Sequence, residues 1–332
     1  MRRLVMVTLL AASLTLAGCG KDDSDPSADA SSPSTSSTPA PPETWPLTGL
    51  DADEGQSVSL THPVLVTKID NTSSSSPQVG LSHADMVVEE LVEGGLTRLA
   101  VFFYSDIPQQ VGPVRSMRAS DIGIVSPVGA SVVTSGAAAR TIARIRGAGI
   151  TFYSEGAKGI FRSQARSAPY NVFADLTTVA KTAKTQAEKP ADYLPWGDEA
   201  DLPKGKRART IAASFSGGHT TEWAYGASGY TNTNSYAGAD DQFPADTVLV
   251  LRVQVGDAGS LDPAGNPVPE TTFEGQGAAM LFHGGRMVRG TWSKSGLEGR
   301  LTLSTKQGPL TVPAGHTWIE LVPASGGDVT FK

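Results

Sequence analysis

The 332-residue chain has a single cysteine, Cys19, close to its N-terminus. Beyond it there is no thiol for a disulfide, a cysteine-ligated zinc cluster or a cysteine nucleophile. Basic residues are not in excess either. The 27 Lys and Arg stand against 33 Asp and Glu, a formal charge of −6, which argues against nucleic acid as a partner because phosphate contacts need a basic surface. The densest basic run, Lys204 to Arg209, falls in a proline-broken stretch. The five histidines, at 62, 83, 219, 283 and 316, lack metal-ligand spacing. The H-E-x-x-H, C-x-x-C, G-x-S-x-G, S-x-x-K and P-loop patterns are missing, and with them the common signatures of zinc proteases, serine hydrolases, penicillin-binding enzymes and NTPases. No cofactor and no metal is implied.

What is present begins at Arg2 and Arg3, followed by an apolar run from Leu4 to Ala17 broken only by Thr8, Ser13 and Thr15. A positive start and a short apolar stretch form an export signal. The run is shorter than the roughly 20 residues that span a bilayer. Its end, Leu16-Ala17-Gly18-Cys19, resembles the lipobox of bacterial lipoproteins, which implies a signal peptide over 1–18, a lipidated Cys19 and a place on the outer face of the plasma membrane. The residues around the arginine pair do not complete a twin-arginine pattern, so the general secretory route is expected. From Lys21 to Thr44 the chain is Ser, Pro, Thr, Asp and Ala without apolar periodicity. Such a composition cannot offset its ordering entropy, and 19–44 reads as a disordered tether with a reach of roughly 25 to 30 Å.

The folded part is expected from Trp45 onward. Pro63–Ile69, Asp85–Val92, Thr97–Tyr104 and Ala130–Thr134 read as strands, with Gly94-Gly95 as a hairpin turn. Met117–Val125 and Ala137–Gly147 read as helices. This mixture predicts an α/β or α+β N-terminal domain over 45–187. Prolines 190, 195 and 203 then suggest a linker over 188–209. Short β-rich segments at Thr210–Phe215, Thr247–Val255, Ala278–Phe282, Met287–Trp292 and Thr317–Val322 predict a mostly β C-terminal domain over 210–332.

Several motifs occur in order: Lys68-Ile69-Asp70-Asn71, Pro77 to Asp85 (PQVGLSHAD), Glu93-Gly94-Gly95-Leu96-Thr97-Arg98, Val111 to Arg118 (VGPVRSMR), Gly290 to Lys294 (GTWSK) and Gly315 to Ile319 (GHTWI). Together they resemble the YerB-like family of bacterial lipoproteins. The resemblance implies a two-domain envelope lipoprotein of unknown function, with no catalytic residues to transfer.

Strand alternation sets Met86, Val88, Glu90 and Val92 on one face and Asp85, Val87, Glu89 and Leu91 on the other. Either face places a carboxylate among apolar neighbours, where it must be paired or have its pKa raised. The nearby arginines lead to a candidate ligand pocket of Asp70, Asn71, Glu89, Glu93, Arg98, Arg115 and Arg118, with Arg115 and Arg118 at a helix start gripping an anionic group. A structural ion-pair network is the more frequent outcome for such residues, and a catalytic carboxylate pair is a third arrangement. Trp223, Tyr225, Trp292 and Trp318 are either core or an aromatic surface for glycan or protein. Gly275-Gln276-Gly277 is half of a dinucleotide fingerprint and reads as a turn. The whole is consistent with a non-catalytic, lipid-anchored binding or scaffold protein whose partner is cell-wall machinery or a wall fragment. The rival classes are an enzyme acting on wall polymer or phosphoester, and a solute-binding lipoprotein.

Overall fold

The computed structural model describes residues 43–185, 188–262 and 264–332. Cys19, the signal segment 1–18 and all but the last two residues of the 19–44 tether lie outside the described residues. No described helix is long and apolar enough to cross a membrane.

The body is built on a mixed sheet to which both halves of the chain contribute. Strands β1 (Leu65–Asn71), β2 (Met86–Leu91) and β3 (Thr97–Phe103) form its N-terminal part. They fall close to the segments read from β-branched runs, and β3 lies antiparallel to both β1 and β2. A short β4 (Ser131–Val133) and β5 (Phe152–Tyr153) extend it in parallel beyond β1. On the other side β2 runs parallel to a strand from the far end of the chain, Thr317–Pro323. That strand in turn runs parallel to the long Thr247–Leu261, followed by the antiparallel Gly275–His283 and Arg286–Lys294. The central strands β1, β2, β3 and Thr317–Pro323 and the first half of Thr247–Leu261 are buried along nearly all of their length, as strands covered on both faces are.

Each face of the sheet has its own apolar layer. Met86, Val88, Ala100 and Phe102 pack with Ile124, Val125 and Ile145 on one side, and Val87, Leu99, Val101 and Phe103 with Ile211, Phe215, Trp223 and Trp318 on the other. The first layer is closed by α1 (Asp121–Val125) and α2 (Ala139–Gly147). The second is closed by a small antiparallel sheet that includes Thr210–Ser216 and His219–Gly226. The helix expected from Met117 begins only at Asp121. Arg115 and Arg118 therefore lie in the loop before it rather than at its start.

Residues 188–209 cross the body instead of hanging free. Tyr193 and Leu194 are buried, Tyr193 O–H donates to the Ile124 carbonyl (2.9 Å), and Lys206–Arg207 pairs with the start of the strand Arg286–Lys294. The proline density signals an irregular path, but the apolar side chains between the prolines hold that path against the core.

Candidate functional site

The seven residues expected in one pocket divide between the two faces of the sheet. Successive strand residues point to opposite sides, so Asp70 and Asn71 cannot share a pocket, and neither can Glu89 and Arg98. The single pocket is corrected to two clusters.

The first lies on the helix side. Glu90, Arg98 and Asp70 are cross-strand neighbours in one row over β2, β3 and β1. Beside the row Lys68, fully buried, donates to Glu90 Oε1 (2.8 Å) and Asp121 Oδ1 (2.6 Å). Asp121 Oδ2 accepts the Arg118 backbone N–H (2.7 Å), which fixes the loop carrying that arginine. Arg118 then forks onto Glu93, with Nε 2.5 Å from Oε1 and Nη2 2.7 Å from Oε2. Arg115 Nε sits 3.1 Å from Asp70 Oδ2, and its guanidinium lies over the Tyr170 ring. Arg98 donates to the Ser116 carbonyl (3.0 Å), while its buried Nε meets no acceptor. Burial, then the neighbouring Arg118 and Arg115, lower the Arg98 pKa to about 10. Burial also pushes Glu90 up, against the pull of Lys68.

This cluster backs a cleft of about 620 Å³. Glu93, Ser116, Arg118 and Ser135 line one wall; the start of α2 (Gly136, Ala138, Thr141) and the hairpin residues Leu261, Asp262 and Val268 line the rest. The α2 N-terminus has no side-chain cap, so its first-turn N–H groups are open to an acceptor.

The second cluster lies on the opposite face and is closed to solvent. Glu89 accepts from Asn71 Nδ2 (3.0 Å), Thr221 Oγ1 (3.0 Å) and Trp318 Nε1 (3.2 Å), and pairs with His219 Nε2 (2.9 Å). Glu320 stands next to it, accepting from Trp223 Nε1 (2.8 Å). Burial opposes ionisation of Glu89, but the hydrogen bond and charge of His219 hold its pKa below the ordinary carboxylate value. Burial and the charge of Glu89 push Glu320 well above that value. Burial likewise opposes the charged form of His219, yet the bond and charge of Glu89 outweigh it and raise its pKa.

Trp223, Trp292 and Trp318 are buried, so the aromatic-surface alternative gives way to a core role for them. Gly275 to Gly277 lie at the start of a strand, not in a turn or a dinucleotide loop. Lys68, Asp121, His219 and Glu320 were not among the expected site residues. For Glu320 the signal is a single charge inside a mostly apolar strand, and for Lys68 a charge among buried strand residues; for His219 and Asp121 there is none.

Residues 47–189 match the family model described as Protein of unknown function (DUF3048) N-terminal domain, and residues 211–319 match the DUF3048 C-terminal domain. A Bacillus subtilis (strain 168) protein named "Putative lipoprotein YerB" is 26% identical over 293 residues, covering 84% of this chain and 86% of that protein. The crystal structure of YerB protein from Bacillus subtilis has a TM-score of 0.71 at 20% identity, covering 87% of this chain and 99% of that one, which shows a shared fold. With both domains matched in order, the chain belongs to the DUF3048 family of YerB-like, two-domain proteins of unknown function.

Proposed function

We propose that the protein is a lipid-anchored, non-catalytic binding protein of the cell envelope, and that the cleft at the α2 N-terminus takes an anionic group of a wall fragment or wall-bound partner. One observation carries the reading: the uncapped first turn of α2 shares an open cleft with Ser116, Ser135 and Arg118, and Arg98 donates to the Ser116 carbonyl behind it. Helix N–H groups, hydroxyls and a positive background are the donor set that a carboxylate or phosphate requires. Arg118 is already forked onto Glu93, so it supplies shape and potential more than a free hydrogen-bonding edge. The buried Glu89 and Glu320 are closed to any substrate, which gives no support to catalysis through that pair. Likewise β2 is hydrogen-bonded to Thr317–Pro323 within one sheet, which gives no support to two lobes closing about a hinge.

Ala138→Asp tests the reading. Ala138 is exposed and already has the extended backbone of an N-cap residue, so the new carboxylate caps α2 and stabilises it by about 1 kcal/mol. The same carboxylate fills the anion position. Titration with inorganic phosphate and with a soluble muropeptide should show binding to the parent and its loss in a variant that melts no lower. Undiminished binding by the variant, or none by the parent, refutes the cleft.

A further inference from the structure

The net charge of the chain is −6, yet one edge of the body is strongly basic. Lys206–Arg207 pairs with Arg286–Lys294 so that Arg207 lies directly opposite Arg286, an arrangement of like charges that is unfavourable unless something negative is present. Lys204, Lys206, Arg286, Arg289 and Lys306, all exposed, line two adjoining clefts of about 440 and 340 Å³ that share Pro203, Lys204 and Val288. Among the described residues none of these cations makes an ion pair. The acid bordering them, Glu199, is set against His283 at 3.7 Å.

The position of the patch relates it to the N-terminal segment. Tyr193 N–H and Trp196 Nε1 both donate to the Pro46 carbonyl (3.0 and 3.1 Å), and Lys189 Nζ donates to the Thr44 carbonyl. The stretch that holds the start of the body therefore runs on into Lys204 and Lys206. Lys204 is eight positions on from Trp196, at most about 28 Å even if fully extended. If 19–44 is the flexible tether that its composition suggests, its root-mean-square reach is of the same order, roughly 25 to 30 Å.

We propose that this basic edge docks on the anionic phospholipid headgroups of the membrane to which the chain is anchored. The inference rests on the lipid-anchor reading, and it adds a second, non-covalent attachment. A single lipid anchor gains residence when a polybasic surface engages the same bilayer, and tethering raises the local concentration of that surface. Docking would also fix which side of the body faces away from the membrane.

The test uses the full chain carrying Cys19→Ser, so that no lipid is attached, in flotation with vesicles of phosphatidylcholine alone or mixed equally with phosphatidylglycerol. At low salt the parent should partition onto the mixed vesicles at least about tenfold more strongly, and high salt should remove the difference. Adding Lys204→Glu, Lys206→Glu, Arg289→Glu and Lys306→Glu should remove it as well, with an unchanged thermal melt. The milder pair Lys204→Gln and Lys306→Gln should give intermediate binding. The apolar N-terminal run is common to all forms and cancels. Equal partitioning of parent and reversed variant, or no preference of the parent for phosphatidylglycerol, overturns the proposal. Retention on immobilised poly(glycerol phosphate) without that preference overturns it in favour of a wall polymer. Because the thiol is absent throughout, failure here is separate from failure of lipidation.

Discussion

Glu89 and Glu320 stand directly opposite each other on adjacent parallel strands, and neither has any exposure to solvent. Two buried carboxylates this close cannot both be charged at modest cost. Glu320 Oε2 is buried and receives no hydrogen bond, which is accounted for if it carries the proton and donates it to Glu89. Because its pKa is raised on folding, the folded state holds that proton more tightly, and stability falls as pH rises from the unfolded carboxylate value through the folded one. His219, also raised, adds stability that is full below its unfolded pKa and lost as pH rises through its folded pKa. Glu89, lowered, adds stability present above its unfolded pKa and lost as pH falls through its folded one. The melting temperature should therefore decline as pH rises above the ordinary carboxylate value, decline further above the ordinary imidazole value, and fall again in strong acid as Glu89 is protonated. Glu320→Gln keeps a donor toward Glu89 and an acceptor for Trp223, so its decline should be shallower. Parallel curves for the two proteins would show that Glu320 is not the proton carrier.

Lys68 is the one cation wedged between Glu90 and Asp121, and all three side chains are fully buried. Lys68→Met keeps the aliphatic bulk but leaves two carboxylates without their counter-charge, and should cost about 3–5 kcal/mol in urea denaturation. Combining it with Glu90→Gln and Asp121→Asn should recover a good part of the loss. If the single change costs under about 1 kcal/mol, the triad is not a structural pair network.

The sequence's alternation already placed Glu89 and Glu90 on opposite faces, and that division organises both clusters. Asp70 and Asn71 lie beyond the strand expected over Pro63–Ile69, so alternation does not divide them in the sequence; it does in the structure because β1 runs on to Asn71. The paired strands β1, β2 and β3 were legible because their apolar runs are bounded by turn residues. The pairing of β2 with Thr317–Pro323 was not, since no local pattern reports a partner more than two hundred residues away. His219 escaped for the same reason: its partner Glu89 is distant in sequence, and the strand that carries it alternates too irregularly to stand out. In 188–209 the prolines outweighed the apolar signal of Tyr193, Leu194 and Trp196.

If Cys19 carries the anchor, Cys19→Ser should leave the precursor unlipidated, because no other residue in 19–44 can form the thioether. Detergent-phase partitioning of metabolically labelled cells checks this: acyl label and detergent-phase protein should both disappear in the variant. Mature protein that still enters the detergent phase unchanged would rule out the thioether anchor.

The two family regions, 47–189 and 211–319, are joined by a segment that carries exposed Lys204 and Lys206, both trypsin sites. A cut there should not release two separate domains. β2 and Thr317–Pro323 exchange a continuous parallel ladder from Met86–Thr317 to Glu90–Leu321, and both flanking layers contain residues from each half. Separating the halves would expose Val87, Val88, Trp318 and Ile319, all now buried, at about 25 cal/mol for each Å² of apolar surface. Asp241 adds a polar tie, accepting the backbone N–H groups of Gly80 (2.6 Å) and Ser82 (2.9 Å). Briefly trypsinised protein should therefore give two bands on a denaturing gel and one peak at the intact size in gel filtration, with the fragments parting only in denaturant. Elution as two smaller species under native conditions would mean that each half closes its own core.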